Sequence, residues 1–150
     1  MSLRTNKTNA ALMACVFWST LSAASHGARG EQMDPIRREI DNINRESSSI
    51  VRTEYAKKLS EFIKNDTRGD IEDRDIDILA GMMQDKDDSV RYWIAISLGF
   101  IGERAQRSVP SLTRALRDRA CDHSSKTSAS AIRLAFKRIG VAPPDIDCDR

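Results

Sequence analysis

Residues 85–118, DKDDSVRYWIAISLGFIGERAQRSVPSLTRALRD, contain the pattern that decides the fold. Apolar side chains recur at every third or fourth position over residues 90–101 and again over residues 112–116, which is the spacing of a buried helix face. Gly102 lies between the two runs, where a helix is expected to end. No stretch of the chain alternates between polar and apolar residues as a strand would. The sequence therefore predicts an all-α protein.

The helix over residues 90–101 has a copy on each side of it in the sequence. Residues 51–62 match it apolar to apolar and small to small at an offset of 39, and residues 128–140 match it at an offset of 38. The helix before it also repeats, because residues 79–85 and 112–118 align at an offset of 33. Helix pairs that repeat at such intervals are typical of an α-solenoid. The predicted helices cover residues 35–46, 49–64, 72–84, 87–101, 105–117 and 125–139.

The central stretch is similar to the consensus of the HEAT-repeat superfamily, in its short bacterial type. The similarity rests on Asp85-x-Asp87-Asp88-Ser89-Val90-Arg91-x-x-Ile94-Ala95-x-x-Leu98-Gly99-x-Ile101-Gly102-x-x-Ala105, followed by Val109-Pro110-x-Leu112-x-x-x-Leu116-x-Asp118. This resemblance implies a right-handed α-α superhelix of about three HEAT-like helix pairs, or six helices. The implied repeats cover residues 35–65, 72–102 and 105–140.

The resemblance also implies roles for individual polar residues. Asp85 and Asp118 would end the first helices of successive repeats, and Arg91 would help to tie neighbouring repeats together. The third copy has Ser128 and Ala129 in place of the Val-Arg pair, so we expect this polar ladder to stop there. The family includes scaffolds, lyase-related proteins and DNA-repair glycosylases, so the resemblance implies an architecture without implying an activity.

Residues 1–24 have the composition of a secretory signal peptide. The segment begins with Arg4 and Lys7 and no acid, continues as an apolar run, and ends in small residues. We expect cleavage between Ala24 and Ser25, and therefore a periplasmic or secreted protein. Polar residues interrupt the apolar run before it reaches the roughly 20 residues of a membrane span, so an uncleaved anchor is the less favoured alternative. The remaining segments are a flexible arm (25–33), the HEAT-like repeat domain (34–142) and a tail (143–150).

Removal of the signal peptide changes the charge and cysteine counts. The full chain has 24 basic and 22 acidic residues and three cysteines. Without the signal peptide the two charges balance, and Cys121 and Cys148 remain as a pair. An oxidising compartment favours a disulfide between them. A metal site of Cys121, His123 and Cys148 is the alternative, but its spacing matches no zinc pattern, so we expect no metal.

The helix over residues 90–101 has large apolar residues on the face opposite the core, which are Tyr92, Ile96 and Phe100. The aligned positions are Thr53, Lys57, Ser60 and Glu61 in the first copy, and Ser130, Leu134, Lys137 and Arg138 in the third. One hypothesis is an apolar hot spot that accepts a partner's side chain. Its rim would be Lys57, Glu61, Lys137 and Arg138. The alternative is that neighbouring helices, the arm or the tail cover these side chains.

Residue patterns typical of catalysis do not occur in the sequence: we find no Gly-x-Ser-x-Gly, no glycine-rich phosphate loop and no second histidine near His123. We therefore expect no enzymatic activity and no cofactor. The predicted function is an exported protein-binding module, and within this class an inhibitor or immunity protein that neutralises a secreted toxin or cell-wall hydrolase. Its partner would be another protein, with no nucleic acid and no stable membrane anchor.

Two alternatives remain. Residues 103–142 have 9 basic and 3 acidic side chains, so one alternative is a nucleic-acid-binding HEAT-like protein that uses this basic half. The other is a small hydrolase or lyase with carboxylate chemistry, for which the acids to test are Asp70, Asp73 and Asp75.

Overall fold

The computed structural model describes residues 34–66, 71–119, 121 and 127–147, and most of these residues are helical. The all-α prediction is confirmed, because no strand occurs in these ranges. All of them belong to one compact unit, Met33–Arg150. The predicted signal peptide, its cleavage point between Ala24 and Ser25, and the arm over residues 25–33 lie outside the described residues and stay predictions.

The helices follow one another along the chain with short connections. They are α1 (Pro35–Arg45), α2 (Ser49–Asn65), α3 (Asp73–Met82), α4 (Asp88–Ile101), a 3-10 helix (Gly102–Ser108), α5 (Val109–Arg119) and α6 (Ser128–Ile139). No described helix has the length and apolar character that crossing a membrane requires.

The start of α5 differs from its prediction. The sequence pattern predicts a helix from Ala105, whereas residues 102–108 form the tighter 3-10 helix and α5 begins at Val109. The physical reason is Pro110, which lacks a backbone N–H and would clash with the carbonyl of Gln106 if an α-helix ran through it. Proline is well tolerated in the first turn, and that is where α5 places it.

The helix ends are fixed by local chemistry. At the start of α1 the carboxylate of Asp34 accepts a hydrogen bond of 3.0 Å from the backbone N–H of Ile36, as expected for an N-cap. At the start of α3 the N–H of Glu72 donates to Asp75 over 3.2 Å, which forms one half of a capping box. Gly140 ends α6 with a φ of +85°, a conformation that costs glycine least.

The helices pack in a regular order. α4 contacts α2 on one side and α6 on the other, and α1, α3 and α5 pack against α2, α4 and α6 respectively. Three aligned residues, Leu59, Leu98 and Phe136, are almost completely buried between the members of these pairs. α4 therefore lies in the middle of a row made by α2, α4 and α6, with neighbours on both sides.

Candidate protein-binding surface

The predicted apolar stripe lies on one face of α4. Tyr92, Ile96 and Phe100 are spaced four residues apart, which places them on the same side of a helix. Each is half-buried and packs against the edge of the core, whereas Ile94 and Leu98 on the opposite side are fully buried. The described helices thus cover part of the stripe and leave part of it accessible.

Two further aromatic and apolar side chains extend this surface. Trp93 is half-buried beside Tyr92, and the two rings meet edge to face with centroids 5.2 Å apart. Leu134 of α6, which aligns with Ile96, is 38% exposed. We call Tyr92, Trp93, Ile96, Phe100 and Leu134 the α4 surface.

Arg138 of α6 reaches across to this surface. Its guanidinium carbon lies 4.7 Å from the centroid of the Phe100 ring, a cation–π geometry. The contact depends on Gly99, because a β-carbon built there would lie 3.3 Å from Cδ of Arg138 and 3.2 Å from Cα of Ala135. The absence of a side chain at Gly99 therefore lets α6 approach α4 closely and lets the arginine pass over it.

The other predicted rim residues, Lys57 and Glu61 on α2 and Lys137 on α6, are all exposed. Among the four predicted rim residues, Arg138 is in contact with the stripe, through the ring of Phe100. Ser60 does not belong to the exposed face on which the sequence pattern places it, because it is 1% exposed. Ser60 aligns with Gly99, and both positions carry a small residue on the side of the helix that meets the next member of the row.

The link between α2 and α4 depends on a buried arginine that sequence reasoning did not select. Arg52, with a side chain 9% exposed, forms an ion pair with Asp85 and a second one of 2.9 Å with Asp87. Its Nε also donates to the carbonyl of Ile43 over 3.3 Å. Asp85 therefore joins α2 to the connection before α4 through Arg52, and the inter-repeat role that the resemblance implied for it stays a prediction. The signal was present, since Arg52 aligns with Arg91.

Arg91 makes its described hydrogen bonds with the first residue of α4 and with the connection that precedes this helix. It donates to the carbonyl of Asp85 and pairs with Asp88 over 2.6 Å. Asp118 is exposed and shares with Arg91 the wall of a small cleft. Arg91 therefore holds Asp88 in place, and its implied role as a tie between neighbouring repeats stays a prediction.

Asp88 makes the polar link between α4 and α6. Its two carboxylate oxygens accept hydrogen bonds from the hydroxyl of Ser128 at 2.6 Å and from the Ser128 N–H at 3.0 Å. Burial would raise the pKa of Asp88, but the hydrogen bonds from Ser128 and Arg91 and the charge of Arg91 outweigh it and lower that pKa. Where Arg52 links α2 to the start of α4, the described contact between the starts of α4 and α6 is this aspartate–serine link.

The cleft beside Arg91 has a volume of about 110 Å³. Sites for small molecules usually occupy about 300–1,000 Å³, so this cleft is too small for a typical metabolite. It is lined by Met83, Gln84, Asp85, Arg91, Ala115, Asp118 and Arg119.

Two of the three acids named for the carboxylate alternative, Asp73 and Asp75, form ion pairs. Asp73 and Asp77 both pair with Arg107, at 2.6 and 2.8 Å. Asp75, which is fully buried, pairs with Arg37 at 3.2 Å. These contacts join α3 to α1 and to the 3-10 helix, which is a structural use of the acids. Asp70 lies outside the described residues.

Among the described residues, no three histidine, cysteine, aspartate or glutamate side chains come together as metal ligands. Cys121 is exposed just beyond the end of α5. Cys148 and His123 lie outside the described residues, so the Cys121–Cys148 disulfide and the alternative metal site stay predictions.

No protein-family model, curated protein or solved structure matches the chain. The likeness to HEAT repeats therefore stays a resemblance, and the geometry of the α4 surface is the main basis for a functional proposal.

Proposed function

We propose that this protein is an exported, non-catalytic protein-binding module, and that the α4 surface is where it contacts its partner. The observation that carries the proposal is the contrast within the row of helices. The middle helix presents Tyr92, Ile96 and Phe100, all half-buried, whereas the aligned stripe of α2 is polar and includes the exposed charges of Lys57 and Glu61. Solvated helix faces are normally polar, and a concentrated apolar face is typical of an interaction surface.

The chemistry of these side chains suits protein recognition. Tyrosine and tryptophan are enriched among residues that dominate binding energy, because they bury a large area for little loss of rotamer freedom. Charged residues around such a centre exclude solvent and set the orientation of the partner. Lys57, Glu61, Lys137 and Arg138 are the residues proposed for that rim.

We propose further that the row of helices is a right-handed superhelix of three HEAT-like pairs. The order of contacts supports a stack of helix pairs, since α2, α4 and α6 each pack on the helix before them and α4 also packs on both α2 and α6. In such a stack the α4 surface would face the concave side, where extended solenoids bind their partners.

Within the class of binding proteins, we propose an inhibitor or immunity protein that neutralises a secreted toxin or cell-wall hydrolase. Two features support this role. The predicted signal peptide would send the protein to the compartment where such enzymes act. The α4 surface belongs to a short, densely packed row of helices, and a preorganised surface binds with little ordering cost.

Site-specific cross-linking tests the proposed surface. A photoreactive amino acid replaces Ile96 in one sample and Ile50, which is 79% exposed at the start of α2, in a control. Each mature protein is then illuminated in periplasmic extract and in culture medium. We expect a discrete protein adduct from position 96 and none from position 50.

A double substitution, Tyr92→Ser with Phe100→Ser, completes the test. We expect loss of the adduct with a melting temperature close to that of the wild type, because both side chains are half-buried. Identical adducts from positions 96 and 50, no adduct at all, or a grossly destabilised double variant would each contradict the proposal.

A further inference from the structure

The two flanks of the α4 surface differ in charge. At the α2 positions that align with this surface, the exposed charges are Glu54, Lys57 and Glu61, so acids outnumber bases. On the α6 side Lys137 and Arg138 are exposed and no acid occurs anywhere in the helix. A partner that lies across α4 therefore meets charges of both signs on the α2 side and a basic flank on the α6 side.

Arg138 is the basic residue whose guanidinium contacts an aromatic ring of the α4 surface. Its stem passes close to Gly99, and its guanidinium lies over Phe100. This arrangement holds the charged group at the border of the apolar surface before any partner arrives, so little side-chain entropy remains to be lost on binding. When a partner covers Phe100, the guanidinium loses part of its hydration. A carboxylate is then the group that best replaces the lost water, because it accepts two parallel hydrogen bonds from arginine.

We infer that the segment of the partner that binds here is an acidic amphipathic one, with apolar side chains seated on Tyr92, Ile96 and Phe100 and with carboxylates directed at Arg138 and Lys137. This inference rests on the proposed function and adds the chemistry and orientation of the partner. The α6 flank favours that orientation because all of its charges are basic, whereas carboxylates placed over α2 would meet Glu54 and Glu61 as well as Lys57.

A single-stranded nucleic acid would also be attracted by aromatic and basic residues together, but the geometry disfavours it. Binding of that kind uses the open faces of aromatic rings as stacking platforms for bases. One face of Phe100 is occupied by Arg138, and the acids of α2 would repel the phosphates. A protein segment needs only apolar contact with the exposed parts of these rings.

Selection from a peptide library tests the inference. Random 16-residue peptides displayed on phage are selected on the mature protein and counter-selected on the Ile96→Glu variant. We expect the enriched sequences to combine apolar residues at helical spacing with a net negative charge. For a synthetic peptide of this kind, we expect Arg138→Gln to weaken binding about tenfold and Lys137→Glu about fivefold, as for the loss of charge-assisted contacts. Lys64→Glu, at the exposed end of α2, is the matched control and should change binding less than twofold.

Three results would overturn the inference: enriched peptides that are neutral or basic, no enrichment that depends on Ile96, or binding unaffected by Arg138→Gln. Displacement of the peptide by a single-stranded oligonucleotide or by vesicles of anionic phospholipid would also overturn it. Its failure can be separated from failure of the proposed function. An adduct at position 96 whose formation does not depend on Lys137 or Arg138 removes only the inference, whereas the absence of any adduct removes the proposed function.

Discussion

The two junctions that α4 makes with its neighbours in the row are built from different chemistry. Towards α2, buried Arg52 bridges Asp85 and Asp87. Towards α6, a glycine allows close backbone packing and Asp88 accepts two hydrogen bonds from Ser128. Both junctions join neighbouring helices of the row, so helices that pack side by side in one row are held by different kinds of contact. The α2–α4 junction depends on the buried charge of Arg52, which two aspartates neutralise. The α4–α6 junction depends on close packing at Gly99 and on the hydrogen bonds that Ser128 donates at the start of α6.

The largest expected effect comes from breaking the α2–α4 junction. Arg52→Ala leaves Asp85 and Asp87 without their counterion in a largely buried setting, and removal of one partner from such a cluster typically costs about 3–5 kcal/mol. We expect a loss of about 3 kcal/mol in the free energy of unfolding, measured by urea denaturation. Arg52→Lys keeps the charge but not the fork of donors and should recover only part of the loss. A loss below about 1 kcal/mol for Arg52→Ala would show that the junction does not depend on this cluster.

The next effect comes from breaking the close approach of α4 and α6. Gly99→Leu drives a side chain into Ala135, because a β-carbon added at Gly99 would already lie 3.2 Å from Cα of Ala135. Overpacking of this kind typically costs about 1–3 kcal/mol, so we expect a fall of about 2 kcal/mol in the free energy of unfolding. Gly81→Leu is the matched control, because nothing lies within 4 Å of a β-carbon there. Equal effects of the two substitutions would contradict the role given to Gly99.

A smaller effect is expected from the Asp88–Ser128 link, and it depends on pH. Ser128→Ala removes one hydrogen bond and should cost about 1 kcal/mol near pH 7. The pKa of Asp88 is lowered in the folded protein, so its stabilising contribution is present above the ordinary aspartate pKa of about 4 and is lost as the pH falls below that value. Urea denaturation between about pH 6 and pH 2.5 should therefore show the difference between wild type and Ser128→Ala shrinking as the pH falls. A difference that stays constant over this range would contradict the link.

The smallest expected effect concerns Arg138, which crosses from α6 to α4. Arg138→Gln removes an exposed cation–π contact with Phe100, worth roughly 0.5–1 kcal/mol. We expect a fall of about 0.5 kcal/mol in the free energy of unfolding, measured together with Lys137→Gln as the neighbouring control. If the control falls as much as Arg138→Gln, the effect is one of general charge and not of the ring contact.

Local pattern predicted the helices well and the start of α5 poorly. The apolar spacing over residues 90–101 marks a helix because a single buried face imposes its period on the sequence. At residues 105–110 the same spacing continues, yet Pro110 blocks an α-helix and the chain adopts a 3-10 helix instead. Pro110 is typical of a helix start, and α5 does start beside it at Val109, so the predicted start at Ala105 is wrong.

The repeat alignment placed Tyr92, Ile96 and Phe100 on one face of α4, but it did not give the contacts around them. The position of Arg138 over Phe100 depends on how closely α6 approaches Gly99. That distance depends on how the two helices pack together, and an alignment of single positions contains no such information. The burial of Ser60 likewise depends on the packing around α2 and was not predicted from the alignment.

The all-α class and the positions of the helices along the chain follow from the sequence alone. A helix that buries one face has apolar residues at every third or fourth position, and this pattern is visible within each segment. The ion-pair partner of each charged side chain depends on the tertiary structure. Arg52 and Arg91 align in the repeat, yet one links two helices of the row and the other holds the aspartate that does so. These choices depend on residues more than 30 positions apart in the chain, and packing alone brings such residues together.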